Sequence, residues 1–299
     1  MRRRNPALPY LAPLLFAAIC QGASAQGAGP ALKPLIRQVD HVLIETGDPA
    51  ALFAFFADIL QLPVAWPVAD FSGFTSGGVG AGNVNIEVLR FAGPKGLLSG
   101  RRPRARFLGL ALEPYRLADC LTELADRGIP HGPPQTYVST LPDGSQGTLW
   151  TNVVLTRLSK PGLSVFLCEY SSAFLHAEIR RNQLAGQLAL RNGGPLGVRS
   201  VKEIVIGTRD LAGDGADWRK LLPASGTSSG ALLRSGNGPS IRLIAASADR
   251  IQRILLEVGS LRTASRFLSD RRLLGATSPD QIAIDPSKIQ GLAIHLVER

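Results

Sequence analysis

The chain has 299 residues, 33 Lys and Arg against 23 Asp and Glu, a formal net charge of +10, and 45% apolar residues. That length suggests about two domains. The basic surplus is spread along the chain and forms no run with interleaved aromatics, which argues against a nucleic-acid partner.

In chain order, the first feature is a leader. Arg2, Arg3 and Arg4 are followed by an apolar stretch from Leu8 to Ile19 and by Ala23-Ser24-Ala25 before Gln26. This order is that of a secretory signal peptide, and the apolar stretch is too short to span a bilayer. Cys20 follows Ile19, where a lipidation site wants a small residue. The expectation is cleavage near Ala25 and a periplasmic or secreted mature chain of 26–299. Loss of the three leader arginines takes the charge from +10 to +7. No later stretch is long and apolar enough to cross a membrane. Cys120 and Cys168 remain, too few for a disulfide scaffold.

Beyond the leader the chain repeats itself. Residues 39–48 (VDHVLIETGD) and 201–210 (VKEIVIGTRD) share valine, the second isoleucine, threonine and aspartate. Each is a β-rich run ending on an aspartate able to cap a helix. Pro49–Leu60 is expected to be helical, with proline in the first turn, and so is a shorter segment after Asp210. Two more strand-then-helix starts follow the same plan. They are FLGLALE (107–113) with a helix to Arg127, and ILLEV (254–258) with a helix after Ser260. Further strand segments complete the four units: NVNIEVLRF (83–91), SVFLCEY (164–170), PSIRLIAA (239–246) and GLAIHLVE (291–298). Phe174–Leu190 reads as a connecting helix without chemistry, closed by Asn192-Gly193-Gly194-Pro195.

Side chains alternate across a strand. His41, Leu43 and Glu45 therefore share one face, and Asn83, Asn85, Glu87 and Leu89 share another. The β-branched sets Val42/Ile44 and Val84/Ile86/Val88 belong toward the helices. In 164–170 Val165, Leu167 and Glu169 fall together. Cys168 then lies on the opposite parity, read as the helix side with Cys120, where a disulfide and two free thiols both stay open. Trp66, Phe71, Phe74, Tyr137 and Trp150 lie near strand and loop ends, as a pocket mouth or as core.

The segments VDHVLIETGDPAALFAFFADILQLPV (39–64), NVNIEVL (83–89) and LGLALE…LADCLTELADRGI (108–129) resemble the vicinal oxygen chelate superfamily, the glyoxalase and dioxygenase-like proteins. The resemblance covers nearly the whole mature chain and is stronger in the first half. It implies an α+β fold of four βαβββ modules that pair into two cupped half-barrels. The corresponding division is a leader at 1–25, a first domain at 26–172, a connector at 173–198 and a degenerate second domain at 199–299. In that family a metal sits in the cup on residues of the first and fourth strands of each module. By resemblance His41, Glu87 and Glu169 fall on three of the four positions, and Gly109 on the last. The second half places Glu203, Arg242, Arg253 and His295 there, and arginine is not a metal ligand.

Two functions follow from the resemblance. One is a lyase, isomerase or dioxygenase using Zn, Mn, Fe or Ni, with His41, Glu87 and Glu169 as ligands. The metal would act as Lewis acid on a small substrate with adjacent oxygens, and Glu87 or Glu169 would serve as general base. The other is a metal-free small-molecule binding or sequestration protein of the same fold. Oligomeric state is left open.

Overall fold

Two faces of every strand, one apolar and one mixed, set the layers of this protein. The computed structural model describes residues 34–71, 73–92, 104–141, 143–225, 232–234 and 236–299. The expected leader lies outside the described residues.

The first half begins with β1 (Ile36–Thr46), α1 (Pro49–Ala54), β2 (Val64–Phe71), β3 (Phe74–Gly80) and β4 (Asn85–Phe91). It continues with β5 (Ala105–Pro114), α2 (Leu117–Asp126), β6 (Gln135–Thr140), β7 (Gln146–Val154) and β8 (Ser164–Tyr170). After the connecting helix α3 (Ala177–Leu190), the plan recurs. It gives β9 (Val198–Thr208), α4 (Leu211–Leu221), β10 (Ala224–Ser225), β11 (Leu232–Leu233) and β12 (Ser240–Ala245). It ends with β13 (Arg250–Val258), α5 (Leu261–Asp270), β14 (Leu274–Ser278), β15 (Gln281–Ile284) and β16 (Ile294–Glu298). Each unit is thus strand, helix, three strands, and the fold is α+β as expected.

The first two units share an eight-stranded sheet, β2-β3-β4-β1-β5-β8-β7-β6, and the last two share another in the same order, β10-β11-β12-β9-β13-β16-β15-β14. Units therefore pair one with two and three with four, through the antiparallel contacts β1–β5 and β9–β13. The first sheet curls until its two edge strands meet, where Phe71 of β2 contacts Tyr137 of β6 at 6.5 Å between rings. The β-branched faces carry the core. Val42, Ile44, Val84, Ile86, Val165, Leu167, Ile204, Ile254 and Leu296 are fully buried in one cluster that runs through both halves.

The helix starts follow the chemistry read from the sequence. Asp48 accepts the amide of Ala51 at α1, and Asp210 accepts that of Gly213 at α4. A departure follows α1: Phe55–Ile59 is π-helical, and Leu60 bonds back to the carbonyl of Phe55.

The halves interlock through reciprocal loops. Asn83 exchanges hydrogen bonds with the backbone of Val201 at 2.9 and 3.1 Å and donates to the carbonyl of Asn237 at 3.1 Å. The glycines beside these asparagines, Gly82 and Gly236, have φ of +84° and +49°. A Cβ on Gly82 would lie 2.3 Å from the Arg199 carbonyl oxygen, and one on Gly236 would lie 2.2 Å from that of Arg37. Both strain and close approach thus demand glycine here. Gly73, with φ of +96° but open space around it, carries the strain alone. Gly82→Ala is expected to destabilise the protein by more than about 1 kcal/mol, and by more than Gly73→Ala does, read as the urea midpoint of each variant.

Candidate functional site

The cup of the first sheet is built around an irregularity in β1. Val39 faces Leu112 and His41 faces Ala111, so Asp40 is an extra residue in the β1–β5 register. Such a bulge re-aims side chains. Here it brings Asp40 and His41 into contact, both buried, with Asp40 Oδ2 2.7 Å from His41 Nδ1. The other ring nitrogen of His41, Nε2, is 3.3 Å from Glu87. Ser76 donates to Glu87 at 2.6 Å, and the Trp66 indole N–H donates to Ser76 at 3.1 Å.

Asp40 is compensated from three sides. Besides His41, it accepts from the Tyr170 hydroxyl at 3.0 Å and from Arg181 Nη1 at 3.2 Å. Arg181 is only 6% exposed although it comes from α3, and its second Nη reaches Glu113 at 2.5 Å. Glu113 also meets Arg37 at 3.1 Å. The connecting helix, expected to carry no chemistry, therefore enters the cup.

Burial raises the carboxyl pKa of Asp40, but the His41 hydrogen bond and charge, the Arg181 charge and the Tyr170 hydroxyl outweigh it, and the net pKa is lowered. Burial alone would lower the pKa of His41. The Asp40 hydrogen bond and the charges of Glu87 and Asp40 outweigh it and raise the value. Tyr170 is pushed well up, first by burial and then by the Asp40 charge, so it stays a donor. Burial also raises Glu113, against the pull of Arg181. Removing one member of such a buried ionic pair typically costs about 3–5 kcal/mol. This is enough to anchor α3 to β1 and β5 through Arg181.

The walls are aromatic and apolar. Leu43, Leu89, Ala111 and Cys168 form a second buried cluster with Leu108, Trp150, Phe166 and Tyr170 against it. Phe71 stacks on Phe74 at 5.0 Å and Tyr137 on Trp150 at 4.5 Å, and Phe174 lies against Trp150 and Tyr170. Of the aromatic residues singled out in the sequence, Phe71, Phe74, Tyr137 and Trp150 thus meet where the sheet closes, and Trp66 lies on Ser76.

The strand register places each residue named from the sequence. His41 and Glu87 are together in the cup. Glu169 is not. Leu43 pairs with Glu87 across β1–β4, and the equivalent pair across β5–β8 is Ala111 with Phe166. Phe166 therefore holds the position expected for Glu169, and its ring lies 6.0 Å from that of His41. Glu169 shares its face with the core residues Val165 and Leu167 and accepts the Leu117 amide at 2.8 Å, at the first residue of α2. The physical reason is parity: a three-residue displacement along a strand reverses the face. Glu298 does the same for Leu261 at α5, at 3.0 Å.

Gly109 is the counterpart of His41, and its vacancy is filled. A Cβ there would lie 1.9 Å from the Ser164 carbonyl oxygen, so β8 backbone occupies the space of any ligand. His131 binds the Gly132 carbonyl, and His176 precedes α3 in an exposed position. Among the described residues no group of three or more His, Cys, Asp or Glu side chains is placed to hold a metal. The donors of the cup do not fit a divalent ion: His41 and Glu87 are two, Phe166 and Gly109 take the remaining places, and Asp40 is engaged behind the imidazole.

The cysteines also divide differently from expectation. Both are free and buried, but Cys168 faces the cup while Cys120 belongs to the core under α2. Burial pushes the Cys120 thiol up to about 12 and Cys168 well above its usual value. Neither is a ready nucleophile. Asp40, Arg181, Ser76 and Tyr170 are the site members that the sequence reading missed. The only trace of them in the sequence is a charged residue at an apolar parity, Asp40.

No protein-family model matches the sequence, and no curated protein matches it. Solved structures do match in fold. A hypothetical protein from Staphylococcus aureus aligns with TM-score 0.59 at 10% identity, over 88% of this chain and 99% of that one. The E323L mutant of homoprotocatechuate 2,3-dioxygenase from Brevibacterium fuscum aligns with TM-score 0.58 at 12% identity, over 89% and 72%. The Mn(II)-bound glyoxalase from Novosphingobium aromaticivorans gives 0.56 at 13%, over 89% and 83%. The chain shares the fold of these dioxygenase and glyoxalase structures, in line with the vicinal oxygen chelate resemblance.

Glu169→Ala is expected to lower stability by about 1 kcal/mol through the lost helix cap, and Glu298→Ala by a similar amount. Parallel denaturation curves of the two variants check it, and a Glu169 with no cap to lose would leave the midpoint unchanged.

Proposed function

We propose that the protein is an exported, metal-free small-molecule-binding member of the vicinal oxygen chelate superfamily. The cup of the first sheet takes a flat, largely apolar compound, and His41 and Glu87 at its floor meet the compound's polar oxygen. The observation that carries this reading is the pair Gly109 and Phe166. One position is closed by the Ser164 backbone and the other is an aromatic ring. The aromatic rim and the two floor groups are the usual make-up of a small-molecule site, an apolar wall with few placed polar groups. The raised His41 pKa favours an imidazolium whose two N–H groups face Asp40 and Glu87, so that the Glu87 carboxylate is oriented to accept a hydroxyl of the compound.

Metal analysis tests this directly. The purified mature protein is loaded with Zn, Mn, Fe and Ni in turn, dialysed and assayed. The expected result is far less than one metal per chain, the same in wild type and His41→Ala. Stoichiometric metal that disappears in His41→Ala overturns the reading in favour of a metal-dependent enzyme.

Export rests on the order Arg2–Arg4, Leu8–Ile19, Ala23-Ser24-Ala25 in the sequence. N-terminal sequencing of protein from the producing cell is expected to begin at Gln26. A chain beginning at Met1 in the cytoplasmic fraction contradicts it.

A further inference from the structure

The face of the second sheet that corresponds to the cup carries a different chemistry. The register assigns it without ambiguity. Glu203 pairs with Leu255 across β9–β13, and Leu255 pairs with His295 across β13–β16. One row along, Val205 lies between Arg242 of β12 and Arg253 of β13. The neighbours Ile204, Ile241, Ile254 and Ile294 are all in the core, so these polar residues share the opposite face.

Their pairing is unequal. Arg242 gives both arms of its fork to Glu203, at 2.7 and 2.8 Å, and the two charges cancel. Glu257, further along the face, is held by Ser200 at 2.8 Å and meets Arg299 at 3.9 Å. Among the described residues Arg253 has neither kind of partner. Its Nε is buried with no hydrogen-bond acceptor, and among the described residues no carboxylate pairs with it. A guanidinium cannot shed its charge, and a buried unpaired N–H is unfavourable.

His295 stands beside it. The Gln281 side-chain amide contacts His295 Nδ1. With the amide nitrogen as donor, Nδ1 accepts and the ring proton sits on Nε2, which becomes a free donor. Burial first, and then the charge of Arg253, hold the His295 pKa below its usual value, so the ring is neutral near pH 7. Among the described residues, the face therefore presents a cation that no carboxylate pairs, with a ring N–H adjacent to it, while Glu203 and Glu257 are taken by other partners.

We propose that this face of the second sheet binds a small carboxylate, with Arg253 pairing one or both oxygens and His295 Nε2 donating to the ligand. A planar, bidentate fork suits a planar carboxylate. The site is independent of the first cup and of any reading of its function.

Acetate is the probe. The His295 ring is followed by NMR across pH, with and without acetate, and assigned by the signal lost in His295→Gln. Acetate is expected to raise the His295 pKa by about 1 unit, as a nearby opposite charge does. In Arg253→Met the starting pKa is expected to be higher and the acetate response absent. In Arg253→Lys, which keeps the charge but not the fork, weaker binding is expected. A His295 pKa that does not move with acetate in the wild-type protein overturns the proposal without recourse to any variant. An equal response in a folded Arg253→Met overturns it as well, and so does an equal wild-type response to chloride at the same ionic strength, since that response is screening of the Arg253 charge by salt.

Discussion

A carboxylate cannot stay charged inside an apolar sheet unless cations and donors are brought to it, and the fold of the first half is arranged around that requirement at Asp40. The β1 bulge turns Asp40 inward. His41, Tyr170 and Arg181 then converge on its two oxygens from β1, β8 and α3. Each of these contacts has a further consequence. The His41 ring is held with Nε2 toward Glu87, the end of β8 is tied to β1, and the connecting helix is tied to β1 and β5 through Arg181. The same chain of charges sets the direction of each pKa shift in the site.

The internal repeat separates what belongs to the scaffold from what belongs to each half. The caps recur: Asp48 and Asp210 on the first helices, Glu169 and Glu298 on the second. So do the irregularities of the central strands, at equivalent places in β1–β5 and β9–β13. At the face positions the chemistry diverges. His41 and Glu87 answer to Glu203 and Arg242, Gly109 to Arg253, and Phe166 to His295. A repeated residue with the same backbone partner in both halves is structural, which is why Glu169 leaves the site. A position that differs between the halves is free to be functional.

The shared fold with a dioxygenase and a Mn(II)-bound glyoxalase makes the departures at Gly109 and Phe166 informative. The β8 backbone lies in the space a side chain at 109 needs, so placing a donor at 109 requires moving a strand as well as changing a residue. An aromatic ring at 166 extends the apolar wall to the His41 ring.

The sequence by itself determined the layers, the four units and the helix starts. Period-two alternation and aspartate caps are local, and they act wherever the chain carries them. It also placed His41 and Glu87 on one face, because no irregularity lies between His41 and the β4 register. Only the tertiary structure decided the rest. Glu169 was misassigned because its face depends on which residue of β8 pairs with Ala111, a register that involves residues about fifty apart in sequence. Asp40 and Arg181 meet across 141 positions, one through a bulge that alternation cannot foresee and the other from a helix whose sequence carries no sign of its target. A buried charge finds its partner in three dimensions, and nothing in the spacing of a chain records that distance.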